Sequence, residues 1–391
     1  MNFKTIVIAG IGTIGSSVIK LGKEALDNFD YIIAVDKCAE KLTSRLESSI
    51  SYRQGDIENQ EFLQRLFQDI KLPALFVNLC SDVDNIRIRK VISLFDIAYI
   101  DTCASGIYQK LEYRFSKLMP YTLTTITSPF PHWLCWGINP GLVEIISRKI
   151  MKNFPGEDKL FDVFIFEHDQ LDADLEKPKV AVGWSPEGLV EEVMLSPSFQ
   201  VVDGKQVEAE KKGAGKILAL WAGKPILSRL VGHEDVWNIG ELNVVNNAKF
   251  VYALGPKVMD VFDADPTDAL NTLMVPDEDV HIFGTEQVAV KVKGAETGIE
   301  NTMLWEVDHE EVWRQHKVNA VQYQTSKSLL LAVMLLQHTH YGNLALNCCA
   351  SSLPISPHDW ESIEKLMAAL DIHWTDAGHL KLHTKPYGQV G

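Results

Sequence analysis

The sequence predicts an α/β protein in which an N-terminal parallel sheet is followed by a mixed α+β domain. Short apolar runs alternate with amphipathic stretches over residues 1–139, and a glycine-rich turn directly follows the first run. Such alternation is typical of βαβ units, whose strands pair in parallel. From residue 140 the pattern becomes less regular. Because the chain has 391 residues, of which 46% are hydrophobic, it can fill more than one hydrophobic core.

Five apolar runs in the N-terminal part have the length and composition of buried strands. They are Thr5–Ala9, Tyr31–Val35, Ala74–Leu79, Ala98–Ile100 and Leu123–Ile126. Between them, Ser16–Leu26 and Glu61–Ile70 show the apolar spacing of amphipathic helices. These elements define a first domain over residues 1–139.

Two further regions follow the first domain. Residues 140–315 contain turn signals such as Asp203-Gly204, and they predict a mixed α+β domain. We expect this domain to bind the substrate and to form the oligomer contacts. Residues 319–337 predict one long helix that is apolar nearly all round at its end, which indicates burial. Ser356 and Pro357 begin a last helix near residues 360–370. We expect residues 316–391 to form a C-terminal helical segment that packs back on the first domain.

The charge and the cysteine content exclude several classes of function. A net charge of -15 without a basic run argues against nucleic acid and anionic membranes as partners and favours a cationic small substrate. The longest apolar run, Leu329–Leu336, is too short to cross a bilayer, and the N-terminus lacks a signal-peptide pattern. Six cysteines without Cys-x-x-Cys spacing predict reduced thiols and no metal site. We therefore expect a cytoplasmic protein.

A glycine fingerprint is the strongest functional signal in the sequence. Gly10, Gly12 and Gly15 follow the first predicted strand and begin an amphipathic helix. In the Rossmann fold, such glycines permit a tight turn, close approach of the backbone to a pyrophosphate, and close helix packing. Backbone N–H groups at the start of the helix, including those of Thr13 and Ile14, attract phosphate. The pattern predicts a Rossmann dinucleotide-binding domain.

Asp36 supports this interpretation and predicts the cofactor. It follows the second predicted strand, about 20 residues after the last glycine, where a carboxylate accepts hydrogen bonds from the adenosine ribose hydroxyls. Since a carboxylate repels a 2′-phosphate, Asp36 favours NAD over NADP, although Lys37 lies beside it. In the alternative interpretation the glycines only make a tight turn, and Asp36 is a turn residue.

Polar side chains also end two later predicted strands. Asn78 and Asp82 lie at the end of one strand, and Thr102 at the end of the next. Because ligands of open α/β sheets bind outside the carboxyl ends of the strands, these three residues are candidates to line the cofactor site. The alternative is that they are ordinary caps of strand ends.

A resemblance to a known family begins at Asn139-Pro140-Gly141. The sequence resembles the saccharopine dehydrogenase-like superfamily, and within it the bacterial homospermidine synthases. The resemblance includes the glycine fingerprint, residues 78–84, residues 99–103, Asn139-Pro140-Gly141, residues 167–170, residues 184–188 with Glu192, residues 233–235 and the helix from Asn319. These motifs span almost the whole chain in order.

The resemblance implies roles for residues of the second domain. Trp184 would make a cation–π contact with an amine or iminium, which an aromatic face stabilises, while Glu192 and Glu167 would bind its ammonium groups. His233 with Asp235 would exchange protons near neutral pH. Alternatively, Trp184 is a large core residue, Glu192 belongs to a solvated helix face, and His233 is a strand histidine with a satisfied hydrogen bond.

Asn139 has a separate assignment, because it lies where the two domains are expected to meet. Its amide would reach either the substrate amine or the nicotinamide. Pro140 and Gly141 are expected to form a turn that enters the next helix.

Two departures from the family bear on function. The family carries Glu-Pro-Trp after Asp-Thr-Cys, whereas this chain has Ala104-Ser105-Gly106, so one expected ammonium partner is missing. The chain is also shorter than typical homospermidine synthases. Both departures motivate a third possibility, a non-catalytic NAD-binding protein.

The leading hypothesis is an NAD-dependent homospermidine synthase-like enzyme, which we expect to be a homodimer. It would join two diamines through oxidation, imine exchange and reduction. The alternative is an NAD(P)H-dependent imine reductase of the saccharopine or carboxynorspermidine dehydrogenase type, whose carboxylate substrates call for arginine. Residues 160–245 carry 15 acidic and 8 basic side chains, with Arg229 as the only arginine, which favours a cationic substrate.

Overall fold

The computed structural model describes residues 2–38, 49–81, 83–104, 126–210, 213–378 and 380–387. The chain divides into two compact units. Among the described residues, the first unit contains those up to Leu142 together with Gln324–Ile372, and the second contains Val143–Tyr323 and those from His373 onward. The long C-terminal helix therefore starts in the second unit and continues in the first.

The strands are numbered β1 to β21 in chain order. They are β1 Thr5–Ala9, β2 Tyr31–Asp36, β3 Ile50–Gln54, β4 Ala74–Asn78, β5 Ile97–Asp101, β6 His132–Trp133, β7 Phe161–Asp169, β8 Asp172–Ala173, β9 Val180–Ala181, β10 Ser198–Val202, β11 Lys205–Glu210, β12 Gly215–Trp221, β13 Lys224–Val231, β14 Val245–Leu254, β15 Leu273–Met274, β16 Ile282–Phe283, β17 Thr285–Gly294, β18 Glu300–Asp308, β19 Asn347–Cys348, β20 Thr375–Asp376 and β21 His383–Pro386.

The α-helices are numbered in the same way. They are α1 Thr13–Leu21, α2 Lys23–Leu26, α3 Gln60–Asp69, α4 Asn85–Ile92, α5 Leu142–Lys152, α6 Pro186–Val190, α7 Glu234–Gly240, α8 Pro256–Val261, α9 Pro266–Thr272, α10 His309–His316, α11 Ala320–His338 and α12 Pro357–Ala369. A π-helix, Glu191–Leu195, directly continues α6. Within the described ranges, no helix combines the length and the apolar character that crossing a bilayer requires.

The first unit is built on a seven-stranded sheet in the order β19-β6-β5-β4-β1-β2-β3. Every pairing in this sheet is parallel. The order β3-β2-β1-β4-β5-β6 is that of a doubly wound Rossmann sheet, in which ligands bind where the strand order reverses, here between β1 and β4. The buried strands β1, β4 and β5 form its centre.

The second unit contains a ten-stranded mixed sheet in the order β20-β18-β17-β7-β14-β13-β12-β21, with β10 and β11 attached to β14. Strands β7 and β14 pair in parallel, and β17 is antiparallel to β7. One face of this sheet carries an apolar cluster around Phe166, Trp221 and Val251. The parallel first sheet and the mixed second sheet confirm the predicted fold class.

The predicted elements agree with the structure except in a few places. The helix predicted over Ser16–Leu26 is two helices that meet at Gly22. The strand predicted over Leu123–Ile126 lies outside the described residues apart from Ile126, and the strand found beyond it is β6. Strand β3 was missed because it is largely polar, with only Ile50 buried. The long C-terminal helix is confirmed, and its Gln337 accepts a hydrogen bond from the Phe3 N–H at 3.0 Å.

The structure groups the C-terminal residues differently from the predicted boundaries. Gln324–Ile372 belongs to the first unit, while the residues from His373 belong to the second. The last strand, β21, pairs with β12 of the second sheet. The residue pattern of such a short strand does not predict which strand it pairs with.

Candidate active site

The glycine loop of the first unit needs glycine at two positions for steric reasons. Gly10 has a φ of +91°, and a Cβ there would lie 2.8 Å from the backbone of Leu79 and Cys80. A Cβ on Gly15 would lie 2.0 Å from the Gly10 carbonyl oxygen. Any side chain at either position would therefore force the turn between β1 and α1 to open.

Gly12 differs from these two glycines because the space in front of it is open. A Cβ on Gly12 would meet no described atom within 4 Å. Gly12 caps the N-terminus of α1, where no side chain of the described residues forms a capping hydrogen bond. Gly12, Thr13 and Ile14 are half-buried. A phosphate could approach the backbone there without a steric barrier, so these residues fit the pyrophosphate of a dinucleotide.

Asp36 lies at the carboxyl end of β2, beside the glycine loop. Its Oδ2 accepts a hydrogen bond from the Ile11 N–H, and its Oδ1 accepts one from the Cys38 N–H, each at 2.8 Å. These bonds fix the carboxylate and tie it to the loop. Because each carboxylate oxygen has two acceptor positions, each keeps one for a ribose hydroxyl.

Asn78 belongs to an internal hydrogen-bond network at the end of β4. Its side-chain amide donates to Asn85 Oδ1 at 2.8 Å and to the Tyr99 hydroxyl at 3.1 Å, and its Oδ1 accepts from the Cys80 N–H at 3.1 Å. The side chain is 2% exposed and helps to shape the end of β4, and its place in the cofactor site stays a prediction. Thr102 is half-buried after β5, and Asp82 lies outside the described residues.

Asn139 belongs to the turn that leads from the first unit into α5. The Gly137 N–H donates to the Pro140 carbonyl at 2.7 Å, and the Leu142 N–H donates to the Gly137 carbonyl at 2.9 Å. Gly141 has a φ of +123°, which favours glycine. The turn predicted from Pro140 and Gly141 is present, and Asn139 is half-buried within it.

The second unit carries an acidic face, which we define as Glu167, Asp169, Glu286 and Tyr252. In the β7–β17 ladder Glu286 lies directly opposite Asp169, and in the β7–β14 ladder Tyr252 lies directly opposite Glu167. Side chains two residues apart on a strand share a face. All four therefore point to the same side of the sheet, away from the apolar cluster, and each is at most 6% exposed.

Trp184 contacts the acidic face through Tyr252. Its indole Nε1 lies 3.5 Å from the Tyr252 hydroxyl oxygen. The indole packs against α6, where a Cβ on Gly188 would lie 2.5 Å from Trp184 Cζ3. Ser185 caps α6 by accepting a hydrogen bond from the Gly188 N–H at 3.1 Å. Trp184 is half-buried, so it is neither a fully buried core residue nor a surface one.

Glu192 lies in the π-helix and is buried rather than on a solvated helix face. Its Oε1 is 3.7 Å from His233 Nε2, and His233 Nδ1 is 3.3 Å from Asp235 Oδ2. The imidazole stacks on Phe250 with a centroid separation of 4.6 Å. Phe250 lies two residues before Tyr252 on β14, so this group adjoins the acidic face. π-Helices occur often at functional sites.

His233 differs from the expected neutral-pH proton exchanger. Burial by itself lowers the pKa of the imidazole, but Asp235, Glu192 and Glu234 together outweigh burial and raise this pKa to about 10. At neutral pH the side chain is therefore an imidazolium that balances the surrounding carboxylates. His233 would exchange its proton near neutral pH only if the negative charge of the surrounding carboxylates changed.

Three residues of the acidic face were not predicted from the sequence as site residues: Asp169, Tyr252 and Glu286. Burial raises the pKa of the Tyr252 hydroxyl well above its ordinary range, and the carboxylates of Glu167, Asp169, Glu286 and Glu192 raise this pKa further. The sequence offered only a partial signal, since Asp169 follows Glu167 at strand spacing. Nothing local marks Tyr252 or Glu286, because their proximity arises from strand pairing.

Comparisons with known proteins show the fold. No protein-family profile and no curated protein sequence matches this chain. The chain is similar to the homospermidine synthase of Legionella pneumophila, solved in complex with NAD, with a TM-score of 0.72 and 12% identity over 99% of this chain and 93% of that chain. It is also similar to the apo saccharopine dehydrogenase (L-Glu forming) of Saccharomyces cerevisiae, with a TM-score of 0.61 and 11% identity over 98% of this chain and 100% of that chain.

These likenesses identify a shared architecture. At 11% and 12% identity they carry no residue-level assignment.

Proposed function

We propose that this protein is an NAD-dependent oxidoreductase that acts on a primary amine through an imine, in the manner of a homospermidine synthase. In the proposed reaction a diamine loses hydride, the resulting imine is attacked by a second diamine with loss of ammonia, and the new imine regains the hydride. Two neighbours in fold, a homospermidine synthase solved with NAD and a saccharopine dehydrogenase, support an enzyme of this general kind.

The acidic face is the observation that carries the proposal. Glu167, Asp169 and Glu286 converge on one side of the second sheet, and Trp184 contacts the same group through Tyr252. Buried carboxylates require a cation or a proton to balance them. An aromatic ring beside them adds cation–π attraction, which is about 2 kcal/mol or more when the pair is desolvated. An ammonium or iminium group meets both requirements.

Residues of the first unit fit NAD. Gly12, Thr13 and Ile14 would hold the pyrophosphate at the start of α1, and Asp36 would hold the adenosine ribose. When bound, NAD supplies the hydride acceptor and donor. Asp36 also explains the proposed preference for NAD, because its fixed carboxylate would repel the 2′-phosphate of NADP.

Residues of the second unit would bind and hold charge. Trp184 and Glu192 would stabilise the cationic carbon–nitrogen centre, and Glu167 would bind an ammonium group. Tyr252 keeps its proton, since burial and four carboxylates oppose its ionisation, so it can donate a hydrogen bond to an amine nitrogen. His233, as an imidazolium, would keep Glu192 oriented.

An imine reductase for carboxylate-bearing substrates is the second candidate, and it needs an arginine in the pocket. Arg229 lies opposite Tyr252 on β13. Its guanidinium, however, donates to Asp263 Oδ1 at 3.3 Å and to the Ala214 carbonyl at 3.4 Å. These contacts pair the guanidinium with Asp263, which favours the diamine substrate.

The test is to incubate the protein with NAD and a panel of diamines and amino acids, and to identify products by mass spectrometry. Conversion of putrescine to homospermidine without net NADH production is the expected result. Net NADH consumption with an amine and a 2-oxo acid would instead support the reductase. NAD binding without turnover of any substrate would support the non-catalytic protein, and the variant Glu167→Gln controls for activity from a contaminating enzyme.

A further inference from the structure

We infer that Glu286 carries a proton when the acidic face is empty and releases it when an ammonium group binds between Glu286, Glu167 and Asp169. The site would thus exchange a proton for an ammonium group, so its net charge would stay the same. This inference rests on the proposed function for the identity of the amine. It adds a residue and a proton stoichiometry to that function.

The geometry brings the carboxyl groups of Asp169 and Glu286 close together in a buried part of the second unit. Oxygen atoms of Asp169 and Glu286 and a ring nitrogen of His309 all lie within 4.8 Å of one another. Glu286 is 1% exposed, and neither of its oxygens meets an N–H or O–H donor of a described residue outside the acidic face. Like charges at such distances in a buried site cannot all remain ionised.

Hydrogen bonds decide which carboxyl group stays charged. Asp169 Oδ1 accepts from the Leu171 N–H at 2.8 Å and lies 3.1 Å from His309 Nε2. The Ala320 N–H donates to His309 Nδ1 at 3.0 Å, so Nδ1 is unprotonated and Nε2 holds the proton that points to Asp169. Two donors stabilise the Asp169 carboxylate, and the proton therefore falls to Glu286.

The same hydrogen bonds argue against a metal ion at this cluster. A metal ligand needs a free lone pair on an imidazole nitrogen. Both nitrogens of His309 are committed, one to the Ala320 N–H and the other to its own proton. An ammonium ion, in contrast, needs only carboxylate acceptors, which Glu286, Glu167 and Asp169 supply.

Cationic side chains near this face are already paired. Arg229 on β13 and Lys216 on β12 both contact Asp263, at 3.3 and 2.6 Å. His233 lies among Glu192, Glu234 and Asp235. Lys249 and Lys291 alternate with the residues of the acidic face along β14 and β17, so they point to the opposite side of the sheet. Among the described residues no cation pairs with Glu286, so a proton or a ligand balances its charge.

The electrostatic environment agrees with this geometry. Burial raises the pKa of the Glu286 carboxyl well above its ordinary range, and the neighbouring Glu167 and Asp169 raise it further. An ammonium group entering the face reverses this balance, because a cation in contact favours the ionised carboxyl. The carboxyl proton leaves to solvent as the ammonium nitrogen takes its place, and no covalent bond to carbon changes.

The first measurement needs no substrate. The infrared spectrum of the free protein at pH 7 should contain the carbonyl stretch of a buried protonated carboxyl, and Glu286→Gln should remove it. The control Glu208→Gln changes an exposed carboxylate on β11 and should leave the band intact. A wild-type spectrum without this band, or a Glu286→Gln spectrum that keeps it, would overturn the inference.

The second measurement is calorimetric titration with putrescine in buffers of different ionisation enthalpy. The wild type should release about one proton per diamine near pH 7, so that affinity rises about tenfold per pH unit between pH 6 and 8. Glu286→Gln should release no proton, should show a flat pH dependence, and should bind about 30-fold more weakly, as expected for loss of one buried charge partner. Glu208→Gln should behave as the wild type.

The two proposals fail in different ways. Diamine turnover without proton release would refute the exchange at Glu286 and leave the proposed function standing. Proton release on amine binding without NAD-dependent turnover would refute the proposed function and leave the exchange standing. Failure of putrescine and of monoamines to displace the proton would refute the exchange even if the infrared band is present.

Discussion

The indole Nε1 of Trp184 lies 3.5 Å from the hydroxyl oxygen of Tyr252. This contact joins a loop residue between β9 and α6 to a residue near the carboxyl end of β14, 68 residues later in the chain. It places an indole beside Tyr252, whose neighbours on the acidic face are buried carboxylates, and aromatic rings and carboxylates are the groups that stabilise an iminium.

Trp184→Phe should slow turnover and leave NAD affinity unchanged. Phenylalanine presents a weaker quadrupole to a cation than the indole does, and it cannot donate to Tyr252. The measurements are turnover, melting temperature and NAD affinity on the same preparation. A lower melting temperature with an unchanged rate per folded molecule would mean that Trp184 only fills space.

Glu192→Gln should reduce turnover more strongly than Trp184→Phe. Truncating one partner of a buried hydrogen-bonded charge pair costs about 2 to 5 kcal/mol, or roughly 30-fold to several thousand-fold in rate if felt at the transition state. The variant keeps the shape of the π-helix segment, so the fold should persist. Turnover equal to that of the wild type would place the reacting centre elsewhere.

His233 should remain protonated across neutral pH. Its folded-state pKa of about 10 lies above the ordinary value of 6.5, so its contribution to stability is fully present below pH 6.5 and is lost as the pH rises toward 10. The His233 imidazole resonance in an NMR titration should therefore not shift between pH 6 and 8. In parallel, the free energy of unfolding should decrease from pH 7 to 10, and less so in His233→Gln. A titration midpoint near 6.5 would contradict this assignment.

Gly12→Val should abolish NAD binding without unfolding the protein, because a side chain at Gly12 enters open space in front of the loop. Gly15→Ala is the matched control. Its Cβ would collide with the Gly10 carbonyl oxygen at 2.0 Å, so it should lower the melting temperature as well. Calorimetry with NAD and thermal unfolding distinguish the two effects. If Gly12→Val bound NAD with wild-type affinity, the glycine fingerprint would be only a tight turn and not a cofactor site.

Asp36→Ala should weaken NAD binding and reduce discrimination against NADP. A hydrogen bond to a charged group contributes about 1.5 to 3 kcal/mol, so the loss in NAD affinity should be tenfold or more. The Ile11 and Cys38 N–H groups also lose their acceptor, so thermal stability is measured on the same variant. Tighter binding of NADP than of NAD by the wild type would refute the assignment.

Much of the first unit could be predicted because its signals are local. Glycine spacing, an acid after the second strand and buried apolar runs are all read within short windows, and β1, β2, β4 and β5 were predicted to within one residue or so. The features that the sequence did not reveal also have physical reasons. The polar edge strand β3 lacks an apolar pattern, and no local signal marks the hydrogen bonds of the Asn78 amide with Asn85 and Tyr99 at 2.8 and 3.1 Å.

The sequence alone determined the dinucleotide fingerprint, the α/β class and the acidic character of the second unit, since each depends on residues that are near neighbours or on composition. Only the tertiary structure decided which acids act together. The antiparallel pairing of β17 with β7 brings Glu286 opposite Asp169, 117 residues apart in the chain, and β14 brings Tyr252 opposite Glu167. Strand register is fixed by the packing of both faces of a sheet, and it therefore leaves no local trace at these residues.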